Sequence, residues 1–241
     1  MVIQDKQVLN TVLRTKASDA LLDLLTGLRV RGAVAGKSGL VLYDRSVEAP
    51  KEVLVMVWNS YLTLPQLISR IVLSDPKHFS TDKTAGNSKR LIYQAREHKF
   101  LGNSKCSIRI LFAKETLPTL LSNCKIIRRN RLPVLPLSII LLLQLKSWAK
   151  KYGNHEGGIK AEARALKDCV EAILNPTREW CLQNFDAALP YFPDALKQLD
   201  LLEEYLSESM EKWDSEKLAT VRKYLTPVFE KLESESESPS L

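Results

Sequence analysis

The chain has 241 residues, 45% hydrophobic and 26% charged, with a formal net charge of +7. That is the balance of an ordinary soluble protein, long enough for one large domain or two small ones. Four cysteines with no C-x-x-C pair and no nearby histidine exclude the usual zinc spacings. The most apolar segment, Leu132 to Leu145, contains Pro133 and Pro136. It is shorter than the roughly 18 residues a spanning helix needs, so it reads as core, not membrane.

The charge is divided unevenly. Residues 1–135 hold 22 lysines and arginines against 10 acids, and residues 136–241 hold 13 against 18. An anion-facing first half and an acidic, helical second half follow, the latter a surface for a protein partner. The opening M-V-I-Q-D-K-Q lacks the apolar run of a signal peptide, so free thiols in the cytoplasm or nucleus are expected.

In chain order, Gln7 to Leu28 repeats apolar residues at helical spacing and is closed by Gly27. Leu28 to Ala35 reads as a short strand, Lys37 to Tyr43 as a helix, and Glu52 to Trp58 as a second strand. Leu64 to Leu73 is a helix stopped by Ser74-Asp75-Pro76, and Ser80 to Ser88 is a polar loop. Arg90 to Ala95 and Cys106 to Ala113 are strands around a turn at Gly102-Asn103. A mixed sheet of four or five strands with flanking helices results, an α/β class. Beyond it come helices at Leu137–Tyr152, Ile159–Leu174, Arg178–Phe185, Phe192–Leu206 and Glu208–Phe229. The expected organisation is an α/β core over 1–132, a helical region packed on it over 133–233, and a disordered acidic tail over 234–241.

The stretch Gly32–Val57, a small-residue turn, a short helix, a loop and an apolar strand, resembles the opening unit of the nucleotidyltransferase fold (the DNA polymerase beta-like superfamily). A second resemblance lies in L-P-V-L-P-L-S-I-I-L-L-L-Q-L-K-S-W and the following A-L-K-D-C-V-E-A-I-L. Uncharacterised fungal nucleotidyltransferase-like proteins carry similar helices, and Asp168 and Glu171 fill the acidic positions of the second. The family resemblance implies a strand bearing Asp-x-Asp that holds divalent metal, usually Mg2+, with a third carboxylate on a later strand. Here those positions hold Glu52, Leu54 and Arg109. One carboxylate is too few for two metal ions, and a guanidinium cannot bind one. The resemblance implies the fold, whereas the residues argue against the activity and against any metal or other cofactor.

Gly36-Lys37-Ser38 is not a Walker A loop, because the glycine it needs would fall on Arg31. A turn at a helix N-terminus still offers N–H groups to a phosphate, which makes Gly36, Lys37 and Ser38 the candidate phosphate site. Their plainer reading is a structural turn with an incidental lysine. The plainer reading of Glu52 is a strand-end charge paired with Lys51 or Arg109, and Arg109 either faces Glu52 or runs to solvent. Arg90, Arg96, Lys125, Arg128, Arg129 and Arg131 form a candidate nucleic-acid face, joined by Lys89 and Lys99 and interleaved with Tyr93 and Phe100. Its plainer reading is a solvated charged face. The three histidines are isolated from acids and from one another, and Trp148, Trp180 and Trp213 read as core.

The leading expectation is a protein acting by binding nucleic acid or a phosphorylated ligand. Its rivals are a divergent Mg2+-dependent nucleotidyltransferase that uses Glu52 with Asp44 or Glu48, and a protein-interaction scaffold without nucleotide.

Overall fold

Helix α1 (Val2–Gly27) presents Leu13, Ala17, Leu21 and Leu25 at every fourth position, and all four are buried. One face of the helix is thereby committed to the sheet behind it. The computed structural model describes residues 2–44, 47, 49–82, 90–96, 101, 103–114, 116–174, 185–208, 213 and 215–236. Helix α1 ends at Gly27, as expected, and the left-handed residue of its cap is Arg29, at φ +59°. The Arg29 N–H donates to Thr26 O at 3.0 Å and the Val30 N–H to Leu25 O at 2.9 Å. These two bonds form a Schellman motif in which an arginine holds the left-handed position that glycine usually takes.

Strand β1 (Arg31–Val34) leads through a tight turn into α2 (Gly36–Tyr43), then β2 (Glu52–Trp58), α3 (Leu64–Ser74), β3 (Phe79–Asp82), β4 (Arg90–Gln94) and β5 (Lys105–Phe112). Helix α4 (Leu117–Asn123) and the short strands β6 (Ile127–Arg129) and β7 (Leu132–Val134) follow. The described strands make one sheet in the order β3-β4-β5-β2-β1-β7-β6. It is mixed: β2 runs parallel to β5 and β1 parallel to β7, and the other pairs are antiparallel.

Seven strands therefore replace the four or five expected. Residues 80–82 of the expected loop belong to β3, an edge strand whose F-S-T-D sequence carries almost no apolar alternation. Strands β6 and β7 have three residues each, too short for a period-2 pattern to show. Residues 83–88, the rest of that loop, lie outside the described residues.

Central β2 buries Val53, Val55, Met56, Val57 and Trp58, as a strand covered on both faces must. Gly32 permits the close approach of α1, because a Cβ there would meet Leu25 Cδ1 at 2.9 Å. Helix α3 starts at a reciprocal cap, the Thr63 N–H donating to Gln66 Oε1 at 2.9 Å. The Tyr43 hydroxyl, at the end of α2, donates to Leu135 O at 3.0 Å and ties the helix to the segment after β7.

By its contacts the chain divides into two units, 1–135 and 136–241. The second is helical: α5 (Leu137–Gly153), α6 (Ile159–Ile173), α7 (Phe185–Ala188) with a 3-10 turn after it, α8 (Ala195–Glu208) and α9 (Ser215–Ser236). Residues 137–142 of α5 are all buried, so no polar face interrupts its first turns. Trp148 is fully buried and stacks on Tyr152 at 5.1 Å between ring centroids. Arg222 on α9 bridges Asp200 at 2.6 Å and Glu203 at 2.7 Å on α8, and Lys151 pairs with Glu162. The expected helix Arg178–Phe185 lies outside the described residues except for Phe185, which opens α7. Helix α9 runs to Ser236, and the rest of the expected tail lies outside the described residues.

Candidate functional site

Glu52, Leu54, Ser107 and Arg109 meet because of strand register. In the parallel β2–β5 ladder, Glu52 stands opposite Ser107 and Leu54 opposite Arg109. Their buried neighbours Val53, Val55, Ile108 and Ile110 point to the other face, so these four share the face that α2 leaves partly open. Antiparallel pairing of β4 with β5 sets Ile92 opposite Ser107, and Arg90, two residues earlier, joins the same face.

Together with Lys37, Ser38, Pro50 and Lys51 these residues line a cleft of about 420 Å³. Four of the lining residues are cations and one, Glu52, is a carboxylate. Arg109 Nη2 lies 2.9 Å from Glu52 Oε1, with 55% of the arginine side chain and 24% of the glutamate exposed. Lys51, the other expected partner of Glu52, lines the same cleft. The Ser107 Oγ is buried without a hydrogen-bond partner among the described residues.

Gly36 opens α2 at φ +53°, a conformation that side-chain-bearing residues avoid. A Cβ there would stand 2.8 Å from Leu54 Cδ2, so the leucine packs directly over the turn. The Ser38 hydroxyl is already engaged, donating to Glu52 O at 3.1 Å and accepting from the Leu54 N–H at 3.0 Å. It latches α2 to β2. What the turn offers a ligand is the backbone N–H groups of the first turn of α2 and the Lys37 side chain.

Other candidates are placed elsewhere. Asp44 follows α2 as its C-cap and does not line the cleft, and Glu48 lies outside the described residues. Of the six arginines and lysines expected on a nucleic-acid face, only Arg90 reaches the cleft. Arg96 is exposed beyond β4, whereas Lys125, Arg128, Arg129 and Arg131 surround the β6–β7 hairpin at the opposite edge of the sheet. Four strand spacings separate β4 from β7, roughly 19 Å. Arg129 lies over the Tyr43 ring at 5.2 Å and Arg128 Nη1 donates to Arg131 O at 3.2 Å. Lys89, Lys99 and Phe100 are outside the described residues.

Two expectations are corrected. Tyr93 is only 7% exposed and packs edge-on against Phe79 at 5.4 Å, so it is core and no stacking platform. His78 has an acid partner, with Nδ1 2.8 Å from Asp75 Oδ2, three residues back along the turn after α3. Sequence reading also passed over Ser107 and over Lys51 as a cleft cation. The alternation of β5 was the signal for Ser107, since it sits two residues from Arg109.

Among the described residues no group of three or more His, Cys, Asp or Glu is placed to hold a metal, and no helix is long and apolar enough to cross a membrane. No family model and no curated protein matches the sequence. In structure the chain is similar to an antigenic nucleotidyltransferase-like protein from Paracoccidioides brasiliensis, with a TM-score of 0.52 and 14% identity, covering 77% of this chain and 92% of that one. It is also similar to JHP933 from Helicobacter pylori, with a TM-score of 0.42 and 13% identity, covering 95% and 96% of the two chains. At 14% identity the first likeness speaks to architecture alone, and the chain has a nucleotidyltransferase-like α/β fold followed by a helical C-terminal region.

Proposed function

We propose that this protein binds the phosphate groups of a nucleotide or of a nucleic acid in the cleft between α2 and the β2–β5 ladder, and does so without a metal. The observation that supports this reading is the charge of the cleft wall. Lys37, Lys51, Arg90 and Arg109 surround a single carboxylate, and that carboxylate is paired with Arg109 at 2.9 Å.

Magnitudes separate this from a metal site. At an effective dielectric of about 20, a divalent ion 4 Å from Glu52 gains about 8 kcal/mol, and Arg109 at the same distance repels it by about as much. Lys37, Lys51 and Arg90 then tip the sum against the ion. A phosphate meets the opposite balance. Guanidinium forks match its oxygens, and charge-assisted bonds of this kind contribute about 1.5–3 kcal/mol each. Ser107 lines the same wall. The residues present do not fit a two-metal centre, so no transfer step is derived through one.

Calorimetric titration with ATP tests the reading, run in EDTA and again in Mg2+, beside inorganic pyrophosphate. Binding in EDTA, not strengthened by Mg2+ and weakened about tenfold or more in Arg90→Ala and Arg109→Ala, is the expected result. Absence of binding in EDTA would overturn it. So would Mg2+-dependent transfer from a labelled nucleoside triphosphate that disappears in Glu52→Ala, which would restore the enzyme.

A further inference from the structure

The β1–β2 ladder has a second pocket at its far end. Arg31 pairs with Trp58 there, six residues along β2 from Glu52 and so roughly 20 Å from the cleft. The pocket has a volume of about 580 Å³, in the range of small-molecule sites. Its floor is apolar, with Trp58, Leu121 and Ile126 among the lining residues, and three arginines, Arg29, Arg31 and Arg128, stand in its wall. Among the described residues no carboxylate lines it.

From these residues we infer a second anion site, built to take the phosphomonoester end of a ligand whose body lies on the apolar floor. Neither Arg29 nor Arg31 makes an ion pair among the described residues, and both are exposed. The C-terminus of α1 is a competing explanation for positive charge here, since helix carbonyls attract cations. That end is worth about half an elementary charge, against three guanidinium charges. A surplus of more than two charges remains for a ligand. A phosphodiester supplies one negative charge, whereas a phosphomonoester supplies about −1.5 to −2 at neutral pH. The count matches the monoester.

Two further observations bear on the same pocket. Trp58 is 4% exposed, and its indole Nε1 is buried without a hydrogen-bond partner among the described residues, although buried indole N–H groups usually find one. Trp58 lines the pocket, so its indole resonance reports on what enters there. Arg29 holds the left-handed position of the α1 cap, where glycine would be conformationally cheaper. An arginine at that position brings a guanidinium to the pocket at the expense of backbone ease.

The chemistry is shared by a free mononucleotide and by the 5′-phosphorylated end of a nucleic acid, and the experiment separates them. The full chain, labelled with 15N, is titrated with inorganic phosphate, AMP, a 5′-phosphorylated oligonucleotide and the same oligonucleotide with a 5′-hydroxyl. The reporter is the Trp58 indole resonance, assigned among four tryptophans by Trp58→Phe. Saturable displacement of that resonance by AMP or by the 5′-phosphorylated strand is expected, and whichever binds more tightly identifies the source. Affinity falls at least about tenfold in Arg31→Ser and in Arg128→Ser. It also falls as pH drops below about 6, where the monoester loses its second charge. Arg29→Gly weakens binding while leaving the fold at least as stable, a split that a purely structural arginine would not give. Arg109→Ala leaves the Trp58 titration unchanged, which keeps this site distinct from the cleft. No saturable displacement by any probe would overturn the site. Equal binding of the 5′-hydroxyl strand, or titrations unaltered in Arg31→Ser and Arg128→Ser, would do the same.

Discussion

Arg109 Nη2 reaches Glu52 Oε1 at 2.9 Å across the β2–β5 ladder, from a side chain that is 55% exposed. Breaking a buried pair would strand a charge at roughly 3–5 kcal/mol, but this pair stands in water on the open face of the sheet. Arg109→Ala is therefore expected to change unfolding free energy by less than about 1 kcal/mol, measured by urea denaturation. Its effect belongs to the cleft's charge. A loss above about 3 kcal/mol would mean that the pair is structural and that the anion reading gives it the wrong role.

Gly36 and Leu54 form the second coupled pair. The turn requires φ +53° and leaves Leu54 Cδ2 2.8 Å from where a Cβ would stand. Gly36→Ala meets both penalties, a left-handed alanine and a steric clash, and is expected to cost about 2–4 kcal/mol. In a Leu54→Ala background the clash is gone and only the conformational part remains, about 1–2 kcal/mol. A double-mutant cycle by chemical denaturation reads the coupling directly. Additive effects would show that Leu54 does not close over the turn.

Alkaline stability follows from the thiols. Burial pushes Cys169 far above the ordinary thiol value of 9.0, with Asp168 acting in the same direction, and burial also raises Cys106. The protonated thiol is favoured in the folded state, so this contribution is fully present below pH 9.0 and is lost as pH rises beyond it. Each such group steepens the fall by up to about 1.4 kcal/mol per pH unit. Cys169→Ala should flatten the slope of unfolding free energy between pH 9 and 10.5 by about that amount. Unchanged slopes in wild type and variant would show that the thiol ionises while folded.

How much of this was legible in the sequence depends on the range of the forces involved. Strand β2 and helices α2, α3 and α5 were readable because each carries its own period or stop signal, such as the Ser74-Asp75-Pro76 stop after α3. Ser80–Asp82 was misread because an edge strand needs only a partner, here β4, and not an apolar alternation of its own. The positions Glu52, Leu54 and Arg109 were found by resemblance, and the register that makes them neighbours is a property of two strands about fifty residues apart. Separation of Arg90 from the β6–β7 arginines could not be seen at all. Linear proximity suggested one basic face, and the strand order placed three strands between β4 and β7. The pairing of His78 with Asp75 was missed although only three residues separate them, since a turn after α3 rather than a helix brings them together.

Arg29 offers the cleanest separation of stability from binding. It closes α1 at φ +59°, where its N–H bonds Thr26 O at 3.0 Å and the following Val30 N–H bonds Leu25 O at 2.9 Å. Both bonds use only the backbone, and glycine would keep them. An L-residue in this region costs about 1–2 kcal/mol, and glycine gives back part of that gain through the greater entropy of its unfolded chain. Arg29→Gly should then be more stable than wild type by about 0.5–1 kcal/mol. For a chain of this size that corresponds to a rise in Tm of about 1–4 °C. Arg29→Ala, which keeps the strain and loses the guanidinium, should be no more stable than wild type. The pair of variants thus distinguishes backbone from side chain by thermal unfolding alone. If Arg29→Gly were instead destabilised by 1 kcal/mol or more, the arginine side chain would be holding the helix end together, and its place in the pocket would be structural.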